Sequence, residues 1–151
     1  MKLYTWLVVF LIMIIDRVTK LFAIRFLSGG SSVTVIDNLL KFTYVENEGG
    51  AFSILSGNLW LFLIVGIAMI IFLVWMISDE KKYDIYKLFM YGLIIGGVIG
   101  NFLDRAVYGF VIDFIHVDIG SYTFPIFNIS DICIVVGVGL MIVDTFRKVE
   151  K

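Results

Sequence analysis

Four stretches of this chain stay apolar for the length needed to cross a bilayer, and no other feature restricts its fold so severely. A hydrocarbon core of about 30 Å takes about 20 helical residues at roughly 1.5 Å each. Residues 3–25, 58–77, 87–108 and 125–146 each supply that length. Of the 151 residues 60% are hydrophobic and 17% charged, against about 45–50% apolar and about 25% charged in a soluble domain. The pattern predicts an all-α integral membrane protein: a four-transmembrane-helix bundle folded as a single domain over residues 1–151. One proline, with no internal repeat and no low-complexity segment, agrees with one compact unit. Pro125 suits the first helical position of the fourth span, where a missing N–H loses no intrahelical bond. A net charge of −1 offers no basic surface, so no nucleic-acid partner is expected. Cys133 is the single cysteine and forms no intramolecular disulfide.

Basic residues set the expected orientation. Lys2 lies at the amino end, Lys81, Lys82 and Lys87 at the second connection, and Arg147, Lys148 and Lys151 at the carboxyl end. The other two connections, residues 28–56 and 109–124, hold only Lys41. Basic loops stay inside, so both termini are expected in the cytoplasm and these two connections outside. A cleaved signal peptide is the other reading of the first span, but Asp16, Arg17 and Lys20 precede any plausible cleavage site and argue against it. Residues 28–56 alternate well enough for one or two short strands, which gives the bundle a small extracytoplasmic β-containing loop region.

That topology gathers scattered polar residues into one layer. Counted back from the outer helix ends, Asn101 lies about 10 Å deep, Asp104 and Arg105 shallower, and Asn128 and Asp131 roughly 5–9 Å deep. Asp16 falls a little deeper, with Lys20 one turn above it. Each Asp, Lys or Arg near a helix centre costs about 2.5–3.5 kcal/mol on insertion scales, so these groups must face one another or a wet cavity. Asp16 and Lys20, four apart, read as an interhelical lock, and Asn101 and Arg105 share a face in the same way. Gly92, Gly96, Gly97 and Gly100 read as a close-packing seam. His116 reads as a solvated loop histidine and Cys133 as a small packing residue; with these as the only histidine and cysteine, a zinc site lacks ligands.

Asp113 and Asp131 lack an opposite charge at helical spacing. Asp131 stands near a helix start, where the macrodipole favours a carboxylate, and the outer connection can fold Asp113 back toward it. Two carboxyls within hydrogen-bond reach share one proton, the arrangement with which aspartic proteases activate water. Perturbed carboxyl pairs also serve structural networks and proton relays, which leaves open a small proton-coupled transporter or channel, or a non-catalytic assembly subunit.

Taken together, "DRVTK" at 16–20, "NEGGAF" at 47–52, "GNFLDR" with "VIDFI" at 100–115, and "FPIFNISD" at 124–131 resemble, in order and on the right spans, the four motif blocks of the lipoprotein signal peptidases. The resemblance implies an endopeptidase of the bacterial cytoplasmic membrane, with its site toward the extracytoplasmic side, that cuts prolipoproteins before the diacylglyceryl-modified cysteine. It assigns the catalytic pair to Asp113 and Asp131. Supporting roles fall to Asp16, Lys20, Asn47, Asn101, Asp104, Arg105 and Asn128. Partners so implied are lipid-modified prolipoproteins, membrane lipids and globomycin-type peptide inhibitors, with no metal or cofactor. Gly50 and Ser130 depart from the family pattern, each standing where alanine is usual.

Overall fold

The computed structural model describes residues 2–50, 54–79 and 84–149. Ala51 and Phe52 of the second motif block, and Lys81, Lys82 and Lys151 of the charge pattern, lie outside them. In chain order the elements are α1 Lys2–Leu27, β1 Ser32–Ile36, β2 Leu40–Asn47, α2 Leu59–Asp79, α3 Ile85–Tyr108, β3 Val111–Ile119, β4 Tyr122–Thr123 and α4 Ile129–Val149.

α3 is the axis on which the other helices pack. It buries a run from Met90 to Gly97 together with Gly100, Asn101 and Asp104. α1 faces it with Thr5, Val9, Ile12, Asp16, Lys20, Ala23 and Leu27, spaced three or four apart as one face of a helix requires. The opposite faces are apolar and exposed: Phe10, Phe22 and Phe26 on α1, and Trp60, Ile64 and Ile71 on α2. Such an inside-out surface belongs in lipid rather than water. α2, α3 and α4 are each long and apolar enough to cross a membrane. α1, with 26 residues, has the length but interrupts its C-terminal half with Asp16, Arg17 and Lys20.

Glycine sets how closely the helices approach. A Cβ on Gly96 would lie 2.9 Å from the Ile12 Cβ of α1, and one on Gly97 would lie 2.5 Å from the Ser130 carbonyl oxygen of α4. No ordinary side-chain shift relieves a collision with backbone, so the seam read from the sequence is a steric requirement at these positions. Along the bundle the buried groups separate into layers. Val9, Leu73, Ile77, Met90, Tyr91, Ile94 and Ile95 form one apolar core, and Ala23, Leu27, Ile112 and Phe114 form a second under the sheet. On α1, Asp16 and Lys20 fall between the two.

β1 to β4 form one antiparallel sheet in sequential order. The two strands in residues 28–56 match the sequence reading, but β3 and β4 occupy the connection at 109–124, for which no strand was read. Tertiary pairing makes the difference: β3 lies beside β2 from Leu40 opposite Val117 to Asn47 opposite Val111, with a bulge between Phe42 and Val45. α4 also starts at Ile129 and not at Pro125. Phe127 exchanges backbone hydrogen bonds with Ile115, which keeps residues 124–127 extended beside β3. Asn128 then caps the helix: its side-chain oxygen accepts the Asp131 N–H at 3.0 Å while an Asp131 oxygen accepts the Asn128 N–H at 3.1 Å. That reciprocal pair satisfies two otherwise orphaned donors.

Candidate active site

The site is assembled where the sheet rests on the C-terminal ends of α1 and α3 and the N-terminal end of α4. Asp113 projects from β3 and is 2% exposed. Its oxygens accept from two amides, Oδ2 from Asn47 Nδ2 at 2.8 Å and Oδ1 from Asn128 Nδ2 at 2.7 Å. Asp131, in the first turn of α4, accepts from Asn101 Nδ2 at 2.7 Å in addition to the Asn128 backbone. Asn128 therefore touches both carboxyl groups, and Asn101 accepts from Asn128 Nδ2 at 3.1 Å. Among the described residues each of these carboxyl oxygens accepts one donor, which leaves lone pairs for water, substrate or a shared proton.

Behind the asparagines lies an ionic cluster. Lys20 is fully buried; its Nζ is 2.8 Å from Asp16 Oδ2, 2.8 Å from Asp104 Oδ2, and donates to Asn101 Oδ1 at 3.0 Å. Three donors meet three acceptors. The carboxylates are anchored in turn, Asp16 by the Ser130 N–H at 2.9 Å and Asp104 by the Ile112 N–H at 3.2 Å. Because Lys20 and Asn128 both point donors at the Asn101 oxygen, the Asn101 amide nitrogen must face Asp131. The lock between Asp16 and Lys20 expected from their spacing is thus wider than a pair, taking in α3 through Asp104.

Asn47, Asn101, Arg105, Asp113 and Asp131 reach the wall of a cleft of about 870 Å³. Asp16, Lys20, Asp104 and Asn128 lie behind that wall. Val45 forms one side, Thr123 to Phe127 the other, and the cleft continues onto Ile132, Val135 and Val136 of α4. Those three side chains are exposed, so the polar floor opens toward the lipid-facing surface. Arg105 donates to the Gly49 carbonyl oxygen at 2.7 Å and lies over the Phe62 ring, 4.6 Å from its centroid. It tethers the segment that follows β2 to α3.

Burial, followed by the charge of Asp131, pushes the Asp113 carboxyl up to about 7, against the lowering effect of the Asn47 and Asn128 amides. Near neutral pH this carboxyl is part protonated and can give or take a proton. Among the described residues no three His, Cys, Asp or Glu groups converge as a metal site.

Several residues stand differently from the sequence reading or were missed by it. His116 is not on a loop but in β3, with Nε2 3.1 Å from Asp118 Oδ1. Arg17 hydrogen-bonds Tyr108, lies 3.4 Å from Asp104 and sits over the Tyr108 ring. Its place beside Asp16 in "DRVTK" was the available signal. Ser130 is fully buried, and among the described residues its hydroxyl has no hydrogen-bond partner.

Comparison with known proteins agrees with the motif blocks. Residues 8–147 match the signal peptidase (SPase) II family model. A lipoprotein signal peptidase of Halalkalibacterium halodurans is 38% identical over 146 residues, which cover 97% of this chain and 94% of that protein. Two solved structures of bacterial membrane enzymes, both obtained by the in meso method, superpose on the fold. One has a TM-score of 0.90 at 35% identity, covering 96% of this chain and 88% of its own. The other has a TM-score of 0.85 at 36% identity, covering 93% and 91%. A family match over nearly the whole chain, together with that identity, places this chain in the signal peptidase II family.

Proposed function

We propose that this chain is an aspartic endopeptidase that removes the signal peptide from diacylglyceryl-modified prolipoproteins, with Asp113 and Asp131 as its catalytic pair. The observation that carries the reading is the placement of these two carboxyls, held by one asparagine, in a cleft that runs onto an exposed apolar face of α4. A lipid-anchored substrate needs that combination: acyl chains stay in the outer leaflet while the adjoining peptide bond reaches a polar floor.

The ionised carboxyl takes a proton from water as the water oxygen attacks the scissile carbonyl, and the neutral carboxyl protonates the carbonyl oxygen. Collapse of the resulting diol breaks the C–N bond and delivers a proton to the departing nitrogen. The signal peptide leaves with a carboxyl end and the lipoprotein with a free cysteine amine. Arg105, Asn47 and Asn101 face the same space with donors for substrate carbonyls. Asp16, Lys20, Asp104 and Asn128 hold this floor in register. Peptide inhibitors of the globomycin type would occupy the same cleft.

The reaction uses a pair carrying one proton between them. Asp113, neutral below about 7, supplies it in the acidic range, and the proton is lost as pH rises through that value. Cleavage of a diacylglyceryl-modified peptide in micelles is therefore expected to decline above about pH 7. No cleavage at any pH would remove the assignment. A proton-relay role gains nothing from the other half of the bundle, which is filled by Val9, Leu73, Ile77, Met90, Ile94 and Ile95.

The four helices serve in this reading as four membrane spans of one domain in the bacterial cytoplasmic membrane, both termini inside and the sheet outside. α1 completes the count by burying Asp16 and Lys20 against α3. Cysteine substituted at Ser121, in the turn between β3 and β4, is expected to react with a membrane-impermeant maleimide in intact cells. Labelling only after permeabilisation would invert the topology.

A further inference from the structure

We propose that Asp118, remote from the catalytic pair, is a positioning residue that sets the width of the substrate cleft by clamping the β3–β4 hairpin to the β1–β2 hairpin. The inference rests on the peptidase reading above and concerns a residue outside every motif block.

Asp118 is where the two hairpins are tied. Its Oδ1 accepts the Thr123 hydroxyl at 2.8 Å and lies 3.1 Å from His116 Nε2, and its Oδ2 lies 3.3 Å from Lys41 Nζ. Its backbone N–H donates to the Leu39 carbonyl oxygen at 2.9 Å. The Thr123 hydroxyl, ahead of His116 and Lys41, holds the Asp118 carboxyl below the usual carboxylate range, so it is ionised at neutral pH. Thr123 begins the wall of the cleft that continues through Phe124, whose ring meets the Phe127 ring edge-on at 5.8 Å. Val45 and Asn47 of β2, on the other side of β3 in the sheet, also line the cleft. Only two residue pairs join β4 to β3. Backbone bonds such as Phe124 N–H to the Val117 carbonyl oxygen hold the segment beyond β4 to β3 alone, whereas the carboxylate ties Thr123 of β4 across β3 to Lys41 of β2. The clamp touches neither Asp113 nor Asp131, so loosening it should weaken substrate binding without altering the chemical step.

The test uses the full-length protein in micelles with a diacylglyceryl-modified peptide. Wild-type cleavage establishes the peptidase reading independently of the clamp. Asp118→Ala is expected to raise KM about three- to tenfold, the range for one lost hydrogen bond of ordinary strength, with kcat within about twofold. Asp118→Asn, which keeps an acceptor for the Thr123 hydroxyl, is expected to raise KM less. Thr123→Val, which removes one of the three side-chain ties of Asp118, raises KM no more than Asp118→Ala, and the double variant is no worse than Asp118→Ala, because the Thr123 hydroxyl acts through that carboxylate. An unchanged KM in Asp118→Ala, a loss confined to kcat, or additive effects in the double variant would each overturn the proposal. Wild-type protein that fails to cleave would instead remove the peptidase reading itself.

Discussion

Asp113→Asn and Asp131→Asn are each expected to lower single-turnover cleavage of a lipidated peptide by about a thousandfold or more, since each removes one half of the proton exchange. Asparagine keeps the volume of aspartate, and the surrounding amides of Asn47, Asn101 and Asn128 keep a carbonyl oxygen to bond. Both variants should therefore remain folded, which a melting curve in micelles would verify. Activity within about tenfold of wild type in either variant would take that aspartate out of the chemistry. Asp113→Asn carries a second signature. In the native protein this carboxyl is raised to about 7, so its contribution to stability is present at low pH and lost as pH rises through that value. The variant should lose less stability than wild type between about pH 4 and 7, the interval bounded by the ordinary aspartate value and the raised one.

Lys20→Met is expected to be the most damaging single change to the fold. Methionine fills a similar volume but takes the buried countercharge from Asp16 and Asp104, both about 2% exposed, and leaves Asp104 only Arg17 at 3.4 Å. Removing one partner of a buried ion pair costs about 3–5 kcal/mol, most of it from the uncompensated charge that remains. Denaturation in micelles reads this directly. Adding Asp104→Asn to Lys20→Met should recover part of the loss by discharging one stranded carboxylate. A loss below about 1 kcal/mol for Lys20→Met would equate the cluster with an exposed pair and remove it as the lock of the bundle.

The helices were legible because apolar runs of bilayer length need no partner to be recognised, and the polar layer was legible because a charge inside such a run stands out. Asn47, singled out only through its motif block, stands at the end of β2 and donates to Asp113. The glycine seam was legible for a similar reason, four small residues within nine positions of α3, which the structure divides between contacts with α1 and α4. The sheet was less so. β3 pairs with a strand some seventy residues earlier, so no local pattern marks it, and His116 was read as a loop residue on that account. The start of α4 illustrates competition between two local signals. Pro125 is a good first helical residue, but the pairing of Phe127 with Ile115 and the reciprocal cap of Asn128 and Asp131 begin the helix at Ile129. Asp118 and Thr123 stayed invisible because nothing in their spacing singles out a carboxylate that joins two hairpins.

The double duty of Asn128 has a consequence for how the enzyme comes into being. The side chain that starts α4 also grips Asp113 on the sheet, and the residue it starts the helix with is Asp131. With Asp113 and Asp131 as the proposed catalytic pair, winding the last helix and arming the protease are one event. A nascent chain whose fourth segment has not yet coiled holds two idle acids, and unwinding of that first turn would disarm the mature molecule. One residue inserted between Asn128 and Asp131 would swing the acid by about 100° around the helix and separate it from its mate.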